Sequence, residues 1–125
     1  MAYVVEVEQR FQAVQGLPSP IRAARGLPPI AGGVTVILRA AVAFEDDQLT
    51  GRGWFFDTDA ATQTLEECCA RLAGRVWTEL FDFRPTFELV AREVFRELAE
   101  SIPQLAYVEL RDDSFGTTTR YRPSA

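Results

Sequence analysis

The sequence predicts an α+β domain in which a four-stranded antiparallel sheet carries two helices packed on one face. Four segments alternate apolar and polar residues with the period of a strand, and two repeat apolar residues with the period of a helix. Their order along the chain is strand, strand, helix, helix, strand, strand (ββααββ). Because strands and helices are grouped, an antiparallel sheet with helices on one side is favoured. We assign residues 1–125 to this single domain.

The first two strands are predicted at residues 3–14 and at Val34–Phe44. In the first, apolar and polar side chains alternate. The second is apolar on one face and mixed on the other, so it belongs in the centre of the sheet. The connection at residues 21–33 contains three glycines and two prolines. It is therefore predicted to be a loop, with a short helical turn at residues 21–25.

A short return strand and the first long helix are predicted next. The return strand covers residues 49–56 and leads into Asp57, which starts a run of three possible helix caps. The helix is predicted over residues 60–80 because leucine, cysteine, valine and tryptophan repeat on one side of it. Gly74 weakens this helix in its middle.

The second long helix is predicted to start at Pro85 and Thr86 and to end at Pro103. The Thr86 hydroxyl can cap the first turn, and Glu88 lies where the helix dipole favours a carboxylate. A closing hairpin is then predicted from strands at residues 105–111 and 115–122, joined by an Asp-Asp-Ser turn.

Composition excludes several classes of function. The net charge of −5 and the lack of a basic run argue against a nucleic-acid partner. No apolar run is long enough to cross a bilayer and no signal-peptide pattern is present, so we expect a cytoplasmic protein without a membrane partner. The chain has neither lysine nor histidine. This removes Schiff-base chemistry, the commonest general base and the commonest metal ligand.

The two cysteines, Cys68 and Cys69, are neighbours on the first long helix. Adjacent helical residues point about 100° apart, so the pair cannot close a structural loop. Without a second cysteine pair there is also no zinc site of the Cys-x-x-Cys kind. We expect Cys69 in the core and Cys68 partly buried, in preference to a reactive thiol.

Several short patterns occur in the order found in one known family. They are Phe-Gln-Ala-Val-Gln at residues 11–15, Gly-Trp-Phe-Phe-Asp at 53–57, Leu-Phe-Asp-Phe at 80–83, Pro-Thr-Phe-Glu at 85–88, and Val-x-Leu at 108–110 followed by Asp112 and Tyr121. Together they resemble the 6-pyruvoyl-tetrahydropterin synthase and 6-carboxy-tetrahydropterin synthase family. The resemblance covers nearly the whole chain and implies the tunnelling fold.

The resemblance implies a zinc site whose ligands this chain lacks. The family holds zinc with three histidines, and the matching positions here are Gln15, Ala31 and Gly33. An amide, a methyl group and a hydrogen cannot form a zinc shell. We therefore expect no metal and no other cofactor.

The family's catalytic residues are also mostly missing. Gly26 and Leu27 lie near the place of its cysteine. Of its Asp-His pair, Asp82 remains as a weak catalytic candidate and Phe83 replaces the histidine. Zinc-dependent pterin synthase activity is therefore not expected.

A ligand pocket is the part of the family's site that could remain. The family anchors a pterin or purine ring on a glutamate, which is most nearly matched by Asp112, with Asp113 as a competing register. Aspartate can accept two N–H bonds from a 2-amino-4-oxo ring, although it reaches less far than glutamate. Gln15 is a further ligand-binding candidate. The alternatives are that Asp112 simply suits a turn and that Gln15 is an ordinary loop residue.

Two main functional hypotheses follow. The first is a metal-free, non-catalytic binding or scaffold module with a pterin- or purine-like ligand pocket at a subunit interface. The second is a metal-independent enzyme of the cyclase or lyase type that uses carboxylates such as Asp112 and Asp82. A third possibility is a hetero-oligomer whose partner supplies the histidines. Because the family joins sheet edges into rings, we expect a homo-oligomer, a trimer or a hexamer.

Overall fold

The computed structural model describes residues 2–18, 20–28, 33–53 and 55–124. Four strands form one antiparallel sheet in the order β1-β2-β3-β4. They are β1 at Tyr3–Ala13, β2 at Val34–Phe44, β3 at Leu105–Asp112 and β4 at Thr117–Tyr121. This confirms the predicted α+β architecture and leaves β1 and β4 as the two edges of the sheet.

The helices are α1 at Pro20–Ala24, α2 at Thr58–Gly74, α3 at Trp77–Leu80 and α4 at Phe87–Ser101. The two long helices cover one face of the sheet, α2 over β1 and α4 over β3 and β4. The core lies between these layers. Its side chains with almost no exposed surface include Leu38, Leu65, Trp77, Val90, Leu98 and Leu110. Burial of this apolar surface is what holds the two layers together.

Both long helices begin at the predicted caps. The Asp57 carboxylate accepts hydrogen bonds from the backbone N–H groups of Asp59 and Ala60, at 2.9 and 3.1 Å. The Thr86 hydroxyl accepts from the N–H of Leu89 at 3.2 Å. Each cap satisfies N–H groups that have no partner inside the helix, and so fixes where the helix starts.

The short return strand predicted at residues 49–56 is wrong. After a 3₁₀ turn at Asp46–Gln48, the described part of this segment consists of turns and bends. Gly53 has a φ of +82° and donates its N–H to the carbonyl of Thr50. This tight turn prevents a continuous ladder. Phe55 nevertheless stacks on Phe44 at a centroid distance of 4.9 Å, while Trp54 lies outside the described residues.

The helix predicted over residues 60–80 is two helices. It ends at Gly74, because Arg75 has the extended backbone angles φ −146° and ψ 155°, and α3 restarts at Trp77. The indole N–H of Trp77 donates to the carbonyl of Leu72 at 2.9 Å. Glycine is a poor helix former, and the indole supplies a donor for a carbonyl near the broken end.

The two cysteines are both buried, with 2% of Cys68 and 6% of Cys69 exposed, so the prediction that Cys68 is only partly buried is wrong. Cys68 lies where α2 faces α4, with its sulfur 3.9 Å from Oε2 of Glu97. Burial raises the pKa of both thiols, that of Cys69 to about 12. A thiol with a raised pKa is a poor nucleophile, which agrees with a packing role.

Among the residues that the structure describes, no helix is long and apolar enough to cross a membrane.

Candidate functional site

Gln15 follows β1, and its side chain ties the end of that strand to the start of α4. Its amide nitrogen Nε2 donates a hydrogen bond to the carbonyl oxygen of buried Pro85 at 2.8 Å. One residue earlier, the carbonyl of Val14 accepts from the backbone N–H of Trp77 at 2.9 Å. The end of β1 is therefore held by α3 and α4 together, and Gln15 lies where they meet.

Gly33 adopts a backbone conformation that leaves no room for a side chain. Its φ is +73°, in the left-handed region that favours glycine. A Cβ placed on it would lie 2.4 Å from the carbonyl oxygen of Ala13. Because that oxygen belongs to the backbone at the end of β1, it cannot move aside as a flexible side chain would. A histidine at this position would be strained and would clash.

The residues at the implied zinc positions therefore do not fit the metal. Gln15 uses its amide to bind Pro85, Gly33 has no space for a ligand, and Ala31 lies outside the described residues. In the described part of the chain, no group of three His, Cys, Asp or Glu side chains could hold a metal ion.

A cavity of about 590 Å³ opens beside Gln15. Its walls come from the loop after β1, from α1, from the start of α4 and from the edge strand β4. The lining side chains that can contact a ligand are Gln15, Arg84, Phe87, Glu88, Thr117 and Thr119. The volume lies within the range of cavities that bind small molecules.

The cavity presents an aromatic ring next to two opposite charges. Phe87 packs against the buried Trp77 ring at a centroid distance of 5.4 Å, which fixes its position. Arg84 and Glu88 are exposed, and within the described part of the chain neither has an ion-pair partner. A carboxylate, a guanidinium and a ring can together bind a flat heterocycle that carries both donors and acceptors.

Asp112 lies at the end of β3, directly opposite Val36 on one side and Thr117 on the other. Its Oδ1 accepts a hydrogen bond from the backbone N–H of Phe115 at 3.2 Å, so it stabilises the hairpin turn. Thr117 lines the cavity, but Asp112 is not among the lining residues. Asp112 is therefore a neighbour of the cavity, and its role as a ring anchor stays a prediction.

Asp113 faces away from the cavity, towards the sheet face that no helix covers. Its two carboxylate oxygens accept from Arg10 at 2.9 Å and from Arg111 at 3.2 Å. These hydrogen bonds, that from Arg10 first, lower the pKa of the Asp113 carboxyl. Asp82 is exposed in the link between α3 and α4 and does not line the cavity. The structure thus places only Gln15 of the four predicted site residues in the cavity wall.

Sequence reasoning missed Arg84, Glu88, Thr117 and Thr119 as lining residues. Glu88 belongs to the Pro-Thr-x-Glu pattern of the family, which could have indicated a site residue. A glutamate in the first turn of a helix is also favoured by the helix dipole, so the pattern alone does not indicate ligand binding. Thr117 and Thr119 alternate with Thr118 and Arg120 along β4, and only the pairing of β4 with β3 shows which face they take.

The fold and the cavity define the class of protein. It is an α+β protein of the tunnelling fold, and its candidate site lies beside the start of α4. A family model described as 6-pyruvoyl tetrahydropterin synthase matches residues 35–124. The chain therefore belongs to this family. The matched segment includes Glu88 and Asp112, while Gln15 precedes it.

A comparison with solved structures supports the same fold. The 6-pyruvoyl tetrahydropterin synthase of Caenorhabditis elegans is similar, with a TM-score of 0.72 and 16% sequence identity over 98% of each chain. At this identity the likeness establishes the fold alone. No curated protein matches the sequence.

Proposed function

We propose that this chain is a metal-independent binding member of the family, which takes a flat nitrogen heterocycle of the pterin or purine type in the cavity beside Gln15. The observation that carries the proposal is the cavity beside Gln15, together with a backbone at Gly33 that leaves no room for a metal ligand. The role is binding or scaffolding, without a zinc-dependent reaction.

The chemistry of the cavity supports this ligand class. A 2-amino-4-oxo ring offers two adjacent N–H donors, which match the two oxygens of the Glu88 carboxylate. Its 4-oxo group can accept from a guanidinium such as that of Arg84. Phe87 supplies an apolar ring surface for stacking. Asp112 is the competing carboxylate, since it lies on β3 directly opposite Thr117, which lines the cavity.

Titration of the protein with free pterin, followed by the fluorescence of the ring, tests the proposal. We expect Glu88→Gln to weaken binding about 10- to 100-fold, because a charged hydrogen-bond acceptor becomes a neutral amide. Glu100→Gln is the matched control, since Glu100 is exposed near the other end of the same helix. A parallel Asp112→Asn variant decides between the two carboxylates. If Asp112→Asn weakens binding and Glu88→Gln does not, the anchor is Asp112.

Two results contradict the proposal. One is the absence of binding to pterin and to guanine by the unaltered protein. The other is turnover of a pterin substrate that depends on zinc. Turnover without metal would instead support the alternative of a carboxylate-based enzyme.

The proposal includes a homo-oligomer built through the sheet edges, a cytoplasmic location, and no nucleic-acid or membrane partner. Light scattering at micromolar concentration tests the first of these. The long edge of β1 supports it, since this edge pairs with no other strand in the described part of the chain and such edges are normally covered in proteins.

A further inference from the structure

The side-chain amide of Gln15 has one end fixed and one end free. Its nitrogen Nε2 donates a hydrogen bond to the carbonyl oxygen of Pro85 at 2.8 Å. A carbonyl oxygen can only accept, so the nitrogen of the amide, and not its oxygen, must face Pro85. The amide oxygen Oε1 is therefore directed away from Pro85, and it has no hydrogen-bond partner in the described part of the chain.

This free oxygen is accessible from the cavity. Among the residues that the structure describes, no buried side-chain nitrogen or oxygen lacks a partner, so the unpartnered Oε1 of Gln15 is not buried. Gln15 is half-buried and lines the cavity, whereas Pro85 is buried and does not line it. The amide thus turns its nitrogen to the protein and its oxygen to the cavity.

The orientation of the amide is held by the cost of reversing it. Within the described chain, Gln15 is the donor that satisfies the buried carbonyl of Pro85. A reversed amide would set two oxygens against each other and would leave a buried acceptor without a donor, which is unfavourable. Gln15 is therefore an acceptor, and not a donor, towards anything that enters the cavity.

The backbone on both sides of Gln15 is also held in place. The carbonyl of Val14 accepts from the N–H of Trp77 at 2.9 Å. Gly16 has a φ of +84°, and a Cβ added to it would lie 2.5 Å from Oγ1 of Thr78. Because both neighbours pack closely on α3, the acceptor has a defined position before any ligand binds.

We propose that Gln15 is a specificity-determining residue of the cavity, whose Oε1 accepts a hydrogen bond from a ring N–H of the bound heterocycle. The inference rests on the proposed function and adds a requirement to it. Glu88 takes two adjacent donors of the ligand, and Gln15 takes one further N–H elsewhere on the ring. A ring with a lone pair in that place is disfavoured, because two acceptors then face each other. The hydroxyls of Thr117 and Thr119 can donate or accept, so they do not impose this choice.

Guanine and 9-methylguanine are the probes that test this requirement. Both carry the adjacent ring N–H and 2-amino donors that a carboxylate can bind. Guanine carries a further N–H on its five-membered ring, whereas 9-methylguanine has no N–H on that ring. In displacement of fluorescent pterin from the unaltered protein, we expect guanine to bind roughly 5- to 20-fold more tightly than 9-methylguanine.

The variant Gln15→Met separates hydrogen bonding from steric exclusion of the methyl group. Methionine has a similar length but no amide, so we expect the preference for guanine to fall below about twofold. Gln12→Met is the matched control. Gln12 is an exposed glutamine of β1 that donates to Oγ1 of Thr35 at 2.7 Å and does not line the cavity. Its replacement should leave the preference unchanged.

Pterin gives the same comparison without a methyl group and without a variant, should Gln15→Met fail to fold. Its second ring carries no N–H, so we expect guanine to bind the unaltered protein more tightly than pterin does. Equal binding of guanine and 9-methylguanine, guanine that does not displace pterin, or a preference that persists in folded Gln15→Met overturns this inference alone. Binding of neither pterin nor guanine overturns the proposed function, and this inference with it.

Discussion

Replacing Trp77 by alanine is expected to lower the free energy of unfolding by about 3–5 kcal/mol, the loss usual for a large aromatic side chain removed from a core. The indole has no exposed surface, packs against Phe87, and donates its N–H to the carbonyl of Leu72. Its removal leaves a cavity at the joint between α2 and α3. Because Phe87 lines the candidate site, the same change should also loosen that wall.

Urea denaturation followed by circular dichroism measures this loss. Trp77→Phe separates the contribution of packing from that of the indole hydrogen bond, since it keeps most of the apolar volume but removes the N–H donor. We expect an intermediate loss of about 1–3 kcal/mol for this variant. A loss below about 1 kcal/mol for the alanine variant would show that Trp77 is not packed as described.

Gly33→Ala is expected to destabilise the protein by about 2–5 kcal/mol. Left-handed backbone angles cost an L-residue about 1–2 kcal/mol, and an overpacked contact adds roughly 1–3 kcal/mol. Here the contact is with the backbone carbonyl of Ala13, at 2.4 Å from the added Cβ. The strain falls where the end of β1 meets the start of β2.

Gly26→Ala is the matched control. Gly26 has a similar φ of +69°, but apart from its chain neighbours no atom of the described residues lies within 4 Å of an added Cβ. Gly26→Ala should therefore lower the free energy of unfolding only by the cost of the left-handed backbone conformation, about 1–2 kcal/mol. The same denaturation experiment measures both variants, and equal losses would contradict the close approach at Gly33.

Much of the fold could be predicted from the sequence because apolar periodicity is strong in β2 and α4, and because Thr86 and the run that starts at Asp57 contain good helix caps. The errors have local causes. The segment at residues 49–56 contains apolar residues, but the turn at Gly53 prevents pairing. The break after Gly74 is accompanied by a short-range contact, the hydrogen bond from the Trp77 indole to the carbonyl of Leu72, which apolar periodicity does not show.

The candidate site was harder to predict because it depends on what the folded chain brings together. Gln15 is indicated by the family resemblance, because it occupies the position of one of the family's zinc-binding histidines. The sequence does not distinguish a Glu88 that stabilises the helix through its dipole from a Glu88 that binds a ligand. Asp112 and Asp113 are adjacent in sequence, yet the hairpin directs one towards the turn and the other to two arginines on the opposite face. Only the pairing register separates them.

The central claim is that the chain keeps the family's scaffold but cannot hold its metal. The most direct test is to express the protein in zinc-supplemented medium, measure retained zinc by mass spectrometry, and compare melting temperatures with and without a chelator. We expect zinc far below stoichiometric amounts and the same melting temperature in both conditions, because Gln15 and Gly33 leave no ligand set. Stoichiometric zinc, together with a lower melting temperature after chelation, would contradict the account.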